Sequence, residues 1–220
     1  MKVGNNVEGL NKHSLAKQIA DQISMKILSG DLKPGDKLVE KEYADEYGIS
    51  RAPIRDALYL LTAEGLVEKE ARKGAVVRSY SFDEIKDILE VRNFLESLAM
   101  ERIEENGVDH NFVTRMRQLA NVMRSEEDVY QYTYYNHQFH LLLIEMSQSK
   151  MILDLYHRLG SSLLRVQAIA FSESGKLEKS KREHDWLTTY LEANQIREAK
   201  TLLNTHTDDV LKLYKQFHGK

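Results

Sequence analysis

Cysteine is absent from this chain of 220 residues, so no disulfide framework holds the fold and a reducing cytoplasm suits the protein. Proline occurs only at Pro34 and Pro53, so no later segment has a proline that would break a helix. Aromatic residues make up 8%, which does not favour an all-β protein. The longest purely apolar run of note is Leu141–Ile144, far too short to cross a bilayer, and the N-terminal stretch lacks the apolar segment of a secretory signal. We therefore expect a cytoplasmic protein that does not enter a membrane.

The charge of the chain is close to balanced. The formal net charge is −3 at pH 7, and residues 1–80 carry 13 basic and 12 acidic side chains. A balance of this kind excludes indiscriminate binding to nucleic acid through bulk charge. If the chain binds DNA, a few arginines and lysines at particular positions must provide the contacts.

The spacing of apolar residues and of turn residues divides the chain into segments. Ser14 is a suitable N-cap for a first helix that ends at Gly30. Apolar residues recur every four positions within it, at Leu15, Ile19, Ile23 and Ile27. We predict a flexible arm at 1–13, a small domain at 14–78, a linker at 79–81 and an all-helical domain at 82–217.

Residues 36–78 carry the pattern on which most of the functional interpretation depends. The predicted elements are helix Val39–Tyr47, a tight turn at 48–50, helix 51–64, strand Leu66–Glu70 and strand Ala75–Arg78. The connection between the two strands has Gly74 near its tip. Two helices joined by a tight turn and followed by a hairpin are typical of a winged helix-turn-helix, a DNA-reading module.

The start of the 51–64 helix is its predicted DNA-reading end. A helix N-terminus has free N–H groups and the positive end of the helix dipole, which suit phosphate. Arg51 and Arg55 extend from the point where a recognition helix enters the major groove, and arginine pairs bidentately with guanine. As an alternative, both are ordinary solvated charges paired with Asp56 or Glu64.

Four further positions complete the predicted DNA surface. Ser50 caps the helix and contacts phosphate, and Lys41, at the start of the preceding helix, meets the DNA backbone. Lys73 and Gly74 lie at the tip of the wing, where glycine leaves no side chain in the way of the minor groove.

Residues 14–78 resemble the DNA-binding domain of the GntR family of bacterial transcription regulators, through the string PGDKL…EYGISRAPIRDAL…AEGLVEKEARKGAVV. The DNA-contacting positions that the resemblance implies are Lys41, Ser50, Arg51, Arg55 and Gly74. Ala52 lies in the same part of the motif, but its side chain is a single methyl group, so this position can make fewer contacts with a DNA base.

The chain after Phe82 shows only long helical patterns. Six helices are predicted, at 82–106, 109–125, 127–148, 150–173, 177–193 and 195–217. The last has apolar residues at alternating three- and four-residue steps, which is the stripe of a packed bundle. The fold class that we predict is mainly α, with an N-terminal winged helix-turn-helix and a C-terminal antiparallel helical bundle.

Histidines are the main chemical feature of this second half. Asn136 and His140 are four apart on one helix, and His184 and His206 lie on the apolar faces of two others. Neutral imidazole binds zinc and other divalent ions, so three such rings can form a metal site. The alternative is that each histidine packs in the core with its N–H hydrogen-bonded. We predict no ligand role for the remaining five, His13, His110, His137, His157 and His218.

Residues 82–217 resemble, more loosely, the effector (FCD) domain of the FadR-type branch of the GntR family, and within it the six-helix metal-binding members. The landmarks are Val91-Arg92…Leu95-Glu96, the segment NHQFH at 136–140, Glu183-His184 and His206. Metal-binding members use an aspartate and three histidines at these places. The resemblance therefore implies a divalent metal, zinc or nickel, at His140, His184, His206 and Asn136. Because Asn136 replaces the usual aspartate, the binding should be weaker.

Arg92 and Arg165 are the candidates for binding a small carboxylate effector. Arginine pairs with carboxylate through two parallel hydrogen bonds, so a guanidinium that faces the central cavity would receive such a ligand. The alternative for Arg92 is an ion pair with Glu96, four residues later.

These patterns predict a ligand-responsive transcription regulator, a repressor, which binds a pseudo-palindromic DNA operator as a homodimer. A small organic acid in the helical domain, with or without a divalent metal, would control it. One alternative is a metal-free regulator that senses its ligand directly through the histidines and arginines. The other is a metal-dependent hydrolase, since a three-histidine site can activate water. The chain has no HExxH run and no clear general base, so we do not expect an enzyme.

Overall fold

The computed structural model of the protein describes residues 7–71, 73–171 and 176–206, with side chains from residue 15 onward. The chain divides into two compact units, Met1–Ser79 and Tyr80–Lys220. The predictions for 1–6 and for the end of the last helix, 207–217, lie outside the described residues. No helix within the described ranges is long and apolar enough to cross a membrane.

The first unit combines helices with a small antiparallel sheet. Its described elements are α1 (Val7–Ser29), β1 (Lys37–Leu38), α2 (Glu40–Tyr47), α3 (Arg51–Ala63), β2 (Val67–Glu70) and β3 (Gly74–Val77). β3 is the central strand of the sheet and pairs antiparallel with both β1 and β2. Val77 lies opposite Val67 of β2, and Val76 lies opposite Lys37 of β1. The predicted winged helix-turn-helix is confirmed.

The core of this unit forms where α1 packs on α3. Ile19, Ile23 and Ile27 of α1 are buried, because a four-residue spacing keeps them on one helical face. Ile54 and Leu61 of α3 are fully buried beside them. Burial of each such side chain contributes about 1.5–3 kcal/mol. The packing therefore fixes which face of α3 is turned to solvent.

Two boundaries in the first unit differ from the prediction. α1 begins at Val7, so residues 7–13 belong to the helix and Ser14 lies inside it instead of capping it. This stretch contains no proline, so a helix can extend through it once its later turns are packed. Strand β1 is absent from the prediction, because a strand of two residues has no periodicity to recognise.

The second unit is a helical bundle. Its described elements are α4 (Phe82–Asn106), α5 (His110–Ser125), α6 (Val129–Met146), α7 (Lys150–Phe171), α8 (Lys176–Glu192) and α9 (196–206). Ser81 begins α4 with a capping box, in which its hydroxyl accepts from the Glu84 amide. Asp109 and Asp128 are the N-caps of α5 and α6. The side chain of each accepts a hydrogen bond from one backbone amide in the first turn of its helix. The predicted all-helical domain is confirmed.

Helix α6 packs against α4, α5 and α7, and its inward residues are enclosed by them. One hydrophobic cluster includes Met100 of α4 and Phe139 of α6. A second cluster includes Leu89 of α4 and Ile144 of α6, with Tyr156 of α7. Polar side chains on the inward faces of these helices are therefore withdrawn from solvent.

Helix α7 is divided at Gly160, where the backbone angles (φ 15°, ψ −109°) are not helical. The prediction of an uninterrupted helix over 150–173 is wrong at this point. The Tyr80 hydroxyl donates to Ser162 Oγ at 2.8 Å, two residues beyond the kink. The boundary between the two units falls after Ser79, so Tyr80, the second residue of the predicted linker, already belongs to the second unit.

Candidate DNA-binding face and candidate metal centre

The turn between α2 and α3 determines which face of the first unit is exposed. Gly48 ends α2 in the left-handed conformation (φ 65°, ψ 32°), and its amide donates to the carbonyls of Ala44 and Asp45. Glycine adopts this conformation without strain, so the chain reverses sharply here. Because α3 buries the face that carries Ile54, the face that carries Arg51 is exposed.

Ser50 occupies the N-cap position of α3 with an extended backbone (φ −72°, ψ 160°). Its side chain makes no capping hydrogen bond, so the prediction that Ser50 caps the helix through its hydroxyl is wrong. The first-turn amides of α3 have no capping side chain as an acceptor, and the hydroxyl is exposed. Both kinds of donor suit a phosphate group.

Lys41, Arg51 and Ala52 are exposed near the same turn. Neither Lys41 nor Arg51 forms a hydrogen bond or ion pair within the part of the chain that the structure describes. Each therefore carries a positive charge that is available to an outside partner. Ala52 adds only a methyl group to this surface.

Arg55 differs from these two residues because it has a partner. Its Nε donates to Glu40 Oε1 at 3.2 Å and to Oε2 at 3.3 Å, and its Nη2 donates to Oε2 at 3.0 Å. The hydrogen bond from Arg55 lowers the pKa of Glu40, and the charge of Arg51 adds to the effect. The predicted alternative partners, Asp56 and Glu64, do not make this contact.

The wing carries Lys73 and Gly74 at its tip. Lys73 forms an ion pair with Glu70 on the other side of the turn. Gly74 has φ +85°, and a Cβ added to it would meet no atom within 4 Å. Within the chain, glycine is therefore favoured here by the backbone angle and not by a lack of space.

A cleft of about 670 Å³ lies between α3 and the wing. Its lining includes the Glu40–Arg55 pair and two exposed residues that the sequence analysis does not identify, Tyr59 and Lys69. Tyr59 follows Arg51 by eight residues and Arg55 by four, so helical spacing alone could have indicated it. No comparable signal marks Lys69, which comes into place only when the hairpin folds.

Three histidines meet in the interior of the second unit. His140 of α6, His184 of α8 and His206 of α9 are all buried, and a potential ligand nitrogen of each lies within 4.8 Å of the other two. The Nε2 atoms of His140 and His184 are 3.1 Å apart. The His206 ring centroid lies 5.7 Å from that of His140 and 5.2 Å from that of His184.

An oxygen faces the outer nitrogen of each ring. The Nδ1 contacts are His140 to Glu96 Oε1 at 3.0 Å, His184 to the Ser180 carbonyl at 2.6 Å and His206 to Glu183 Oε2 at 2.6 Å. The His140 contact is within ion-pair distance, but it does not have the geometry of a hydrogen bond. An Nδ1–H that points at such an oxygen leaves Nε2 with a lone pair, and we assign this tautomer to all three rings.

The inner nitrogens fit a metal ion. Two unprotonated Nε2 atoms at 3.1 Å repel each other through their lone pairs, and a cation bound to both removes that repulsion. Burial lowers the pKa of His140 to about 4 and that of His184 well below its ordinary value, which favours the neutral rings that metals require. Imidazoles backed by carboxylate and carbonyl oxygens are typical zinc ligands.

The space among the rings is small. A cavity of about 10 Å³ is bounded by the three histidines, Glu183 and leucine side chains. This volume holds one small sphere, such as an ion or a water molecule, and excludes an organic acid. Any organic effector must therefore bind beside this cavity and not within it.

Asn136 lies one turn before His140 on α6 and is completely buried. Its Oδ1 and Nδ2 atoms have no hydrogen-bond partner among the described residues. Leaving such an amide unpaired costs about 1–3 kcal/mol, so its atoms suit an ion, a water molecule or a ligand. His137, the next residue, stacks on Tyr156 at 5.5 Å and lies outside the group of three.

Arg92 is buried on α4 with an exposed fraction of 1%. Its Nε donates to Glu96 Oε1 at 2.7 Å, so the ion pair that was the alternative interpretation does form. The Tyr156 hydroxyl lies beside the guanidinium, but Nη2 makes no well-aligned hydrogen bond among the described residues, which leaves a donor for a further acceptor. Arg165 is also buried, on the second half of α7.

Two further buried residues of α7 have polar atoms without well-formed hydrogen bonds, and neither is predicted from the sequence. The Tyr156 hydroxyl and both amide atoms of Gln167 lack hydrogen-bond partners in the described ranges. Burial raises the pKa of Tyr156 above its usual range, so the hydroxyl keeps its proton and can donate. Neither residue belongs to a recognisable motif, since tyrosine and glutamine on bundle helices usually reach the surface.

Protein-family models match both units. The model described as bacterial regulatory proteins, gntR family, matches residues 15–77, and the FCD domain model matches residues 87–209. The second match alone covers more than half of the chain.

Curated relatives and solved structures agree with these matches. The chain is 30% identical to the gluconate operon transcriptional repressor of Bacillus licheniformis, over 68% of this chain and 62% of that protein. It is 27% identical to the HTH-type transcriptional regulator LutR of Bacillus subtilis (strain 168), over 86% of this chain and 97% of that protein. The crystal structure of a putative transcriptional regulator GntR from Rhodococcus sp. RHA1 has the same fold, with a TM-score of 0.79 at 21% identity, covering 93% of this chain and 99% of that one. The chain therefore belongs to the GntR family of bacterial transcription regulators, with an FCD domain after its DNA-binding domain, and it is not an enzyme.

Proposed function

We propose that this regulator is a cytoplasmic repressor that binds a pseudo-palindromic operator as a homodimer and responds to a small organic acid in its helical domain. A divalent metal held by His140, His184 and His206 takes part in the response. The observation that carries the metal site is the convergence of one ring nitrogen from each of three buried histidines, with the Nδ1 of each ring facing an oxygen.

Regulators of this family bind operator DNA, and FCD domains bind small-molecule effectors. For the DNA contacts we propose Lys41, Ser50, Arg51, Ala52, Arg55, Lys73 and Gly74. Their support is the exposed α3 N-terminus and the free charges of Lys41 and Arg51. A gel-shift on the promoter region of the regulator's own gene tests them, comparing wild type with Arg51→Ala and Arg55→Ala. Equal binding by all three proteins would overturn the assignment.

For the dimer we propose a face made by α4 and α7, which pack against each other. Phe94 is 63% exposed three residues after exposed Val91, and Met151 is 69% exposed four residues before exposed Leu155. Exposed apolar residues at helical spacing on two neighbouring helices favour a second copy of the chain as the partner.

Sedimentation of Phe94→Glu tests the dimer, since a charge buried in the interface should produce monomers. Val122→Glu is the matched control, because Val122 is 46% exposed on α5, away from the proposed face. If Phe94→Glu remains as dimeric as the control, the proposed face is wrong.

For the effector we propose a carboxylate bound by Arg92, with Arg165 as a second candidate. The unpaired Nη2 of Arg92 and the unpaired polar atoms of Asn136, Tyr156 and Gln167 support a polar ligand in this interior. When bound, the metal would supply positive charge for such a carboxylate. The neutral Asn136 amide makes zinc or nickel binding weaker than an aspartate would.

Thermal unfolding with added zinc or nickel tests the metal. A ligand at 100 times its dissociation constant stabilises the native state by about 2.7 kcal/mol, and His184→Ala should abolish the shift. His157→Ala is the control, because His157 is exposed and lies outside the cluster. If wild type takes up no metal on titration, the metal site is wrong. The metal-free alternative then stands, in which the histidines and arginines contact the effector directly.

A further inference from the structure

The ion pair between Glu40 and Arg55 is unusual on the proposed DNA face. Lys41 and Arg51, two other basic residues proposed for this face, have no partner within the described parts of the chain, whereas Arg55 donates three hydrogen bonds to one carboxylate. The Arg55 side chain is 67% exposed and that of Glu40 is 35% exposed. Exposed ion pairs usually add little to folding stability, so stability alone gives only a weak reason for this contact.

The geometry of the pair leaves Arg55 able to bind DNA. Glu40 occupies the edge of the guanidinium formed by Nε and Nη2. The opposite edge, formed by Nη1 and the second N–H of Nη2, makes no hydrogen bond to Glu40. Two parallel N–H groups are the donor pattern that reads O6 and N7 of guanine. The pair therefore fixes the plane of the guanidinium and presents its second edge outward.

The position of Glu40 suits this supporting role. It is the first residue of α2, where the positive end of the helix dipole favours a carboxylate, and it approaches Arg55 across the turn from a different helix. The carboxylate also opposes the phosphates of DNA, so Glu40 lowers affinity for any sequence. An acidic residue at this position is an advantage only if it raises the specificity for one DNA sequence by more than it lowers the affinity for DNA.

We propose that Glu40 is a positioning residue that sets base specificity by holding Arg55 in one orientation, an inference that rests on the proposed role of Arg55 in DNA contact. Without Glu40 the flexible Arg55 side chain adopts several rotamers, binds phosphate as readily as a base, and discriminates less. Loss of Glu40 thus changes which DNA is bound more than how tightly DNA is bound.

The test compares full-length wild type with Glu40→Ala, Arg55→Ala and the double variant. The matched control is Glu42→Ala, which removes the same charge from the same helix turn at an exposed residue without a partner among the described residues. The probes are a duplex selected by wild type from a random pool and a scrambled duplex of the same composition. Fluorescence anisotropy measures both affinities, and their ratio is the specificity.

Glu40→Ala should lower the specificity ratio about tenfold, within the range of one bidentate base contact, and should bind the scrambled duplex at least as tightly as wild type. Glu42→Ala should tighten binding to both duplexes equally and keep the ratio. In the Arg55→Ala background, removing Glu40 should change the ratio no further. If Glu40→Ala does not fold, Glu40→Gln, which keeps the side-chain shape, replaces it.

The outcomes separate the two proposals. If Arg55→Ala keeps the full specificity ratio, the proposed DNA contact of Arg55 is wrong. If Arg55→Ala loses specificity but Glu40→Ala behaves like Glu42→Ala, the contact stands and the positioning role is overturned. A higher specificity ratio in Glu40→Ala would overturn it too, since Glu40 would then compete with DNA for Arg55.

Discussion

Removal of the Glu96 carboxylate should destabilise the helical unit far more than removal of a similar carboxylate at its surface. Glu96 is fully buried, and its Oε1 lies 2.7 Å from Arg92 Nε and 3.0 Å from His140 Nδ1. Glu96→Ala leaves the guanidinium, which is 1% exposed, without its counter-ion. Breaking a buried ion pair in this way costs about 3–5 kcal/mol.

The chain contains its own control for this experiment. Lys86 and Glu90 lie on the same helix with the same four-residue spacing, at 3.6 Å, and both side chains are at least half exposed. Glu90→Ala should cost about 0.5 kcal/mol or less, because solvent screens an exposed pair. Both variants remove a glutamate from a pair with four-residue spacing on the same helix. The difference between their costs therefore measures the effect of burial.

Urea unfolding followed by tryptophan fluorescence measures the difference. The single tryptophan, Trp186, lies on α8, so its emission reports on the second unit. With a slope of about 2 kcal/mol per molar urea, Glu96→Ala should lower the midpoint by about 2 M. EDTA in the buffer keeps metal binding from contributing. A midpoint no lower than that of Glu90→Ala would refute the claim that Arg92 is a buried charge dependent on Glu96.

Three further predictions concern the elements that position the two sites. Gly48 has φ +65°, a left-handed conformation that alanine adopts at a cost and asparagine at a smaller one. Gly48→Ala should therefore destabilise the first unit by about 1 kcal/mol and Gly48→Asn by less, measured by thermal unfolding with circular dichroism. Ile54→Ala should cost about 2–5 kcal/mol by the same assay, whereas Tyr59→Ala, at a side chain 68% exposed, should cost about 0.5 kcal/mol or less. Ser81→Ala removes the capping box of α4 and should cost about 1 kcal/mol in the Trp186 assay.

Much of the fold follows from local patterns. The four-residue spacing of isoleucines predicts the buried face of α1, and Gly48 predicts the reversal before α3, because each signal depends only on neighbouring residues. Strand β1 and the kink at Gly160 are not predictable in this way. A two-residue strand exists only through its pairing with β3, and a glycine inside a helical pattern is compatible with an unbroken helix.

The candidate sites show the same division. Helical spacing indicates that His140, His184 and His206 lie on inward faces, since that property is local to each helix. The oxygens behind their rings come from tertiary packing. The partner of Arg55 is another example, because Glu40 is 15 residues away along the chain and reaches it only across the turn. Sequence reasoning favours nearby partners such as Asp56, whose charge acts on Arg55 but which makes no hydrogen bond to it.

The break at Gly160 has a consequence for how this regulator can diversify. The half of α7 before it carries the exposed Met151 and Leu155, and the half after it carries the buried Arg165 and Gln167. In a continuous helix, a change that rotates one end rotates the other. With the backbone non-helical between them, the half that carries Arg165 and Gln167 can be altered to suit a new ligand without turning the half that carries Met151, Leu155 and the buried Tyr156. The two parts of one helix are therefore open to independent selection, and to independent engineering.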